Sequence, residues 1–87
     1  MQRSKFTIEG RFLTHECVNP FTGKREERVY RCPIDGGYLT VSVNGGDQRQ
    51  PHTRGATWSA KDVPSMVALV KREWRQECRE ARAEGQF

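Results

Sequence analysis

Four side chains have the chemistry to ligate a metal or attack an electrophile: His15, Cys17, Cys32 and Cys78. A β-hairpin that brings Cys32 beside the His15-x-Cys17 strand, with Cys78 arriving from a covering helix, would offer four ligands of the kind tetrahedral zinc takes. The spacings argue against it. His15-x-Cys17 followed by wide gaps matches no closed zinc knuckle, and an odd number of cysteines without a CxxC pair matches no secreted disulfide framework. Buried free cysteine behaves as a small apolar residue, so the three are expected as reduced core thiols, with no metal and no cofactor. A Cys17–His15 nucleophile would need an orienting third group and an oxyanion site, and the sequence offers neither. Asn44-Gly45-Gly46 follows a strand but lacks the GxxxxGK[ST] pattern of a phosphate loop. The expectation is a protein that is not an enzyme.

The second chemical resource is arginine. The chain holds 15 Lys and Arg against 11 Asp and Glu, for a net charge of +4. Nine of those charges lie between Lys71 and Glu84 in a segment with helical periodicity. At about 100° per residue, Val63, Val67, Val70, Trp74, Cys78 and Ala81 share one face, the one expected to pack on a sheet. Lys71, Arg72, Arg75, Arg79 and Arg82 form a second sector, and Glu73, Glu77, Glu80 and Glu84 a third. The charges are thus sorted by sign. Lys71 precedes Arg75, Arg75 precedes Arg79 and Glu73 precedes Glu77 at i, i+4, each like-charge pair costing roughly 0.2–0.5 kcal/mol. An outside partner that supplies counter-charge accounts for such sorting. Arg49 and Arg54 lie in a polar loop upstream, with His52 between them and Trp58 following. Arginine beside an aromatic suits phosphate and base contacts, but Arg and Trp also dominate protein–protein hot spots. The partner-binding residues are therefore expected to be Lys71, Arg72, Arg75, Arg79, Arg82, Arg49, Arg54 and Trp58. A protein partner is the primary reading and nucleic acid the alternative, because no helix-turn-helix, RNP or zinc-finger pattern is present.

The elements that position these residues follow from periodicity and turn chemistry. Tyr38-Leu39-Thr40-Val41-Ser42-Val43 alternates cleanly and reads as a strand. Asp35-Gly36 suits a two-residue hairpin turn that pairs Cys32 with Leu39, Tyr30 with Val41 and Arg28 with Val43. Upstream, Phe6, Ile8 and Phe12 alternate, with Gly10 read as a bulge. A turn centred on Thr22-Gly23 would pair Leu13 with Cys32, His15 with Tyr30 and Cys17 with Arg28. Residues 44–60 read as a polar loop. Ser59, three residues before Asp62, is a capping signal, Pro64 suits the first turn, and the helix is expected over about Val63–Ala83, with Gly85 beyond its end.

The fold expected is α+β, one domain over residues 1–87. An antiparallel meander of three or four strands (about 4–43) is covered on one face by a long C-terminal helix (61–84). Tyr38, Thr40, Ser42 and Arg31 are left on the opposite face, open to a partner that includes a second copy of the chain. Length permits no second domain. Leu, Ile, Val and Phe make up about 18% of the chain, so the core is thin and the surface highly polar. The longest apolar run, Met66 to Val70, is far short of the ~20 residues that cross a bilayer. No apolar signal-peptide core follows Met1-Gln2-Arg3-Ser4-Lys5, and with unpaired cysteines this predicts a cytoplasmic chain. In size and style, with sign-sorted charges and no catalytic constellation, the chain resembles the small inhibitors that phages and mobile elements encode, anti-CRISPR proteins among them. That resemblance implies a binding protein that masks a surface on a larger, nucleic-acid-handling complex.

Overall fold

The computed structural model describes residues 4–85. Four strands, β1 (Lys5–Glu9), β2 (Phe12–Val18), β3 (Arg25–Arg31) and β4 (Thr40–Val43), form an antiparallel sheet in the order β1-β2-β3-β4. A single helix, α1 (Val63–Ala83), follows the sheet and packs on one face of it, so the fold is α+β. Between sheet and helix lies a small hairpin, β5 (His52–Thr53) and β6 (Ala56–Thr57). No helix among the described residues is long and apolar enough to cross a membrane.

The turns explain where the strands fall. Glu9 pairs with Phe12, so Gly10-Arg11 is a two-residue hairpin turn. Gly10 supplies the positive φ (60°) that such a turn needs at its first central position. The expected bulge at Gly10 within one strand is thereby corrected to a turn between two strands. Phe6 and Ile8 lie opposite His15 and Leu13, on the face toward the helix, and Phe12 lies on the other.

The second connection also differs from expectation. Asn19 Oδ1 accepts the backbone N–H groups of Phe21 and Thr22 at 2.8 and 3.2 Å, while its own N–H donates to Lys24 O at 2.8 Å. This side-chain capture starts the turn early and makes Pro20–Gly23 a four-residue loop. The register becomes Leu13↔Tyr30, His15↔Arg28 and Cys17↔Glu26, two residues from the pairing set by a Thr22-Gly23 turn. A shift of two keeps every side chain on its face, so Leu13, His15 and Cys17 still point inward.

At the third connection the register is as expected, with Tyr30↔Val41 and Arg28↔Val43, but the tight turn at Asp35-Gly36 does not form a hairpin. Cys32 N–H donates to Arg11 O at 2.9 Å, and Leu39 N–H to Trp58 O at 2.9 Å. Val41 exchanges both backbone bonds with Arg49, so its groups and those of Leu39 face away from β3, whereas a two-residue turn at Asp35-Gly36 would require the opposite hydrogen-bond phase. The outer edge of β4 is likewise covered, through bridges from Val41 to Arg49 and from Tyr38 to Ser59.

Leu13, Tyr30, Cys32, Leu39, Val41, Ala60, Met66 and Val70 make the core, with Phe6, Trp58, Val63, Val67 and Leu69 packed around it. Met66 is fully buried, a position the helical-face reading left out, whereas Trp74 and Cys78 are half-buried at its margin. The helix cap is Asp62 rather than Ser59. Asp62 is extended (φ −157°, ψ 173°), and its carboxylate accepts Ser65 N–H at 2.8 Å; hydrogen bonding from the Ser65 side chain first, and from this N–H second, holds its pKa low. Ser59 is engaged instead in its bridge to Tyr38.

Candidate functional site

Two clusters of polar side chains flank the helix, one turned into the fold and one turned out. The inward cluster centres on Arg28, which β3 projects toward the helix beside Tyr30. Its Nη1 and Nη2 donate to Glu77 Oε1 and Oε2 at 2.9 and 2.8 Å, and its Nε donates to Glu26 Oε1 at 3.0 Å. Burial opposes the charge on Arg28, but the Glu77 hydrogen bonds and charge outweigh it, and the guanidinium is held protonated. Its carbon Cζ also lies 5.3 Å from the centroid of the Trp74 ring.

His15 sits beside this pair. Its ring stacks on Phe6 (4.1 Å between centroids, 8° between planes) and meets the Trp74 ring edge-on at 4.7 Å. The residue is 0% exposed and neither ring nitrogen has a hydrogen-bond partner among the described residues. Burial, reinforced by the Arg28 charge, lowers its pKa to about 4, so at neutral pH it is an uncharged aromatic core residue. Two residues along β2, Cys17 is buried, and its thiol is pushed up to about 11, chiefly by burial. Burial also raises Cys78 on the helix. Cys32 stands apart, with Sγ 3.5 Å from Arg11 Nη2 and 3.7 Å from Pro33 O. The four residues His15, Cys17, Cys32 and Cys78 are therefore not brought to one point. Among the described residues no group of three or more His, Cys, Asp or Glu side chains is placed to hold a metal ion. Raised thiol pKa values leave little thiolate at neutral pH, which is the reverse of what a nucleophile needs.

The outward cluster contains most of the expected arginines. Arg54 and Gly55 form the turn of the β5–β6 hairpin with φ of 53° and 81°, both left-handed. Arginine in that conformation is uncommon. It projects from the hairpin tip beside the helix, where Arg54, Arg72 and Arg79 line one open cleft of about 310 Å³ with Thr53, Glu73, Gln76 and Glu80. Arg79 Nη2 donates to Gln76 Oε1 at 2.8 Å, and the Arg72 side chain is 69% exposed. Arg72 Nε lies 3.9 Å from Glu73, a long and exposed contact. Arg75 and Arg82 are exposed on the adjoining helical row with Lys71, whose Nζ lies 5.2 Å from the Phe6 ring centroid. Among the described residues, Arg54, Arg75, Arg79 and Arg82 form no salt bridge within the chain.

The remaining expected residues are placed elsewhere. Arg49 is set by backbone pairing with Val41 and lines a different cleft of about 350 Å³, floored by Arg28, Tyr30 and Glu77. Trp58 is an anchor. Its ring stacks on Tyr30 at 6.0 Å and 11°, and its Nε1 donates to Thr53 Oγ1 at 2.8 Å. Thr53 Oγ1 in turn donates to Glu73 Oε1 at 3.1 Å, which ties the hairpin to the helix. The residues that sequence reasoning passed over are Arg28 and Glu77. The available signal was Arg28 itself, a charge at an inward position of an alternating strand, which demands a buried carboxylate.

No family model, no curated protein and no solved structure matches the chain.

Proposed function

We propose that the chain is a small binding protein that acts without catalysis, covering an acidic surface on a larger protein or complex through Arg72, Arg75, Arg79, Arg82 and Arg54. One observation carries this reading. Glu77 is turned inward onto Arg28 and Glu73 is held by Thr53, while Arg54, Arg75, Arg79 and Arg82 form no salt bridge among the described residues and Arg72 has only a 3.9 Å contact to Glu73. With Glu77 matched by Arg28 inside the fold, the arginines on the outer helical rows keep their charge at the surface. Exposed arginines on a rigid helix are suited to bidentate contact with carboxylates. The mode of action is masking, in the manner of the small phage inhibitors that the chain resembles.

Nucleic acid is the second reading, favoured by the cleft that gathers Arg54, Arg72 and Arg79. Against it, Trp58, which lines a neighbouring cleft with Arg72, is already stacked on Tyr30. Titration of labelled duplex DNA, single-stranded DNA and RNA at low salt separates the two. The protein-binding reading predicts weak binding without preference among them. Tight binding that falls steeply as salt rises, as counterion release requires, would replace it with the nucleic-acid reading.

A further inference from the structure

β1 is the terminal strand of the sheet, and among the described residues nothing pairs with its outer edge. The opposite edge, β4, is covered by the bridges to Arg49 and Ser59. Natural edge strands are commonly blunted by proline, a bulge, an inward-pointing charge or charged side chains along the edge, lysine above all. β1 reads Lys5-Phe6-Thr7-Ile8-Glu9; it has no proline, bulge or inward-pointing charge, and its two charges are of opposite sign and can complement a second copy. Phe6 and Ile8 point to the helix side, and Ile8 is 54% exposed at the margin of the core.

We infer that β1 is a self-complementary edge at which two copies of this chain pair antiparallel about a two-fold axis through Thr7. In that register Lys5 of each copy faces Glu9 of the other, Phe6 faces Ile8, and Thr7 faces Thr7. Centring the pair on Phe6 or on Ile8 instead leaves Lys5 opposite Thr7 or Arg11, so the Thr7 register alone brings the opposite charges together.

The backbone agrees. The two-residue turn closes on the Glu9–Phe12 pair, so Glu9, Thr7 and Lys5 direct their N–H and C=O groups toward β2. Phe6 and Ile8 therefore direct theirs outward. Across the axis they form hydrogen-bonded pairs, four bonds in all. The Lys5–Glu9 pairs fall at non-hydrogen-bonded positions, where opposing side chains lie closest. The product is a continuous eight-stranded sheet with both helices on one face. The exposed Ile8 side chains are covered at the seam, and the two arginine rows are presented on the same side. An isologous interface of this kind closes and does not propagate. It stands whether or not the arginine face has the partner proposed above.

Sedimentation velocity over a range of protein concentrations tests it, on the wild type and three variants. The expected result is a concentration-dependent dimer, because a single strand edge is small for an interface. Ile8→Lys should abolish it. Lys5→Glu, which sets like charges opposite each other twice per dimer, should weaken it about tenfold or more. Adding Glu9→Lys to Lys5→Glu restores opposite charges across the axis and should restore the dimer. Thermal melts confirm that each variant remains folded. A wild type that stays monomeric at every concentration overturns the inference. So does a dimer that survives Ile8→Lys, or one that the charge swap fails to rescue.

Discussion

The Arg28 guanidinium and the Glu77 carboxylate meet fork to fork, at 2.9 and 2.8 Å, across 49 residues of chain. The pair joins β3 to the helix where the apolar core has thinned out, and it turns an acidic helical side chain into a structural one. The unbalanced arginines on the outer helical faces are the counterpart of that arrangement.

Removing Glu77 leaves Arg28 largely buried with only Glu26 beside it. The side chains of Arg28 and Glu77 are 11% and 26% exposed, so solvent screens part of the loss. Glu77→Gln should destabilise the fold by about 2–3 kcal/mol. Arg28→Met with Glu77→Leu, which removes both charges, should recover most of it. Urea denaturation of the three proteins reads the midpoints, and a wild-type midpoint for Glu77→Gln would remove the pair from the account of stability.

His15 makes stability depend on pH. Its pKa is lowered from 6.5 to about 4 in the fold, so between those values the unfolded chain binds the extra proton. Stability is unaffected by this group above pH 6.5 and falls as pH drops toward 4, by about 3 kcal/mol in total. Subtracting the profile of His15→Leu from that of the wild type isolates the effect. A flat difference between pH 7 and pH 4 would show that His15 titrates normally.

The arrangement of strands and helix was largely readable from residue order. Val63–Ala83 follows from apolar periodicity, Pro64 and the glycine beyond Glu84, and the inward residues of β2 and β3 follow from alternation. What escaped depends on contacts distant in sequence or on one side chain's choice of partner. Asn19 moved a register by capturing two N–H groups, and the pairing of Val41 with Arg49 fixed a hydrogen-bond phase that a tight turn at Asp35-Gly36 cannot close. Within the polar stretch 44–60, Arg54-Gly55 closes a hairpin although arginine is a poor residue for a left-handed turn. The site was partly readable. The exposure of the helical arginines follows from spacing alone, but helical spacing cannot show that Glu73 and Glu77 engage Thr53 and Arg28. By sequence Trp58 suits either a partner contact or a loop anchor, and the Tyr30 ring beneath it, which nothing local reveals, decides for the anchor.

Arg54 carries a left-handed φ at the hairpin tip and a place in the arginine cleft. Arg54→Asn, with a residue that tolerates this conformation, should stabilise the fold by about 1 kcal/mol while weakening partner binding. Thermal melts and a binding titration on the same preparation check the two signs. A variant that gains stability and binds as the wild type does would remove Arg54 from the interface.

The most direct test of the arginine face is comparative capture. Tagged wild type and the double variant Arg72→Glu/Arg79→Glu are incubated with lysate of the native host, with and without nuclease, and the retained proteins are identified by mass spectrometry. Both positions are exposed, so the variant should fold and melt as the wild type does. The account predicts a protein retained by the wild type, undiminished by nuclease and lost from the variant. Equal retention by the two chains, or retention that disappears with nuclease, would contradict it.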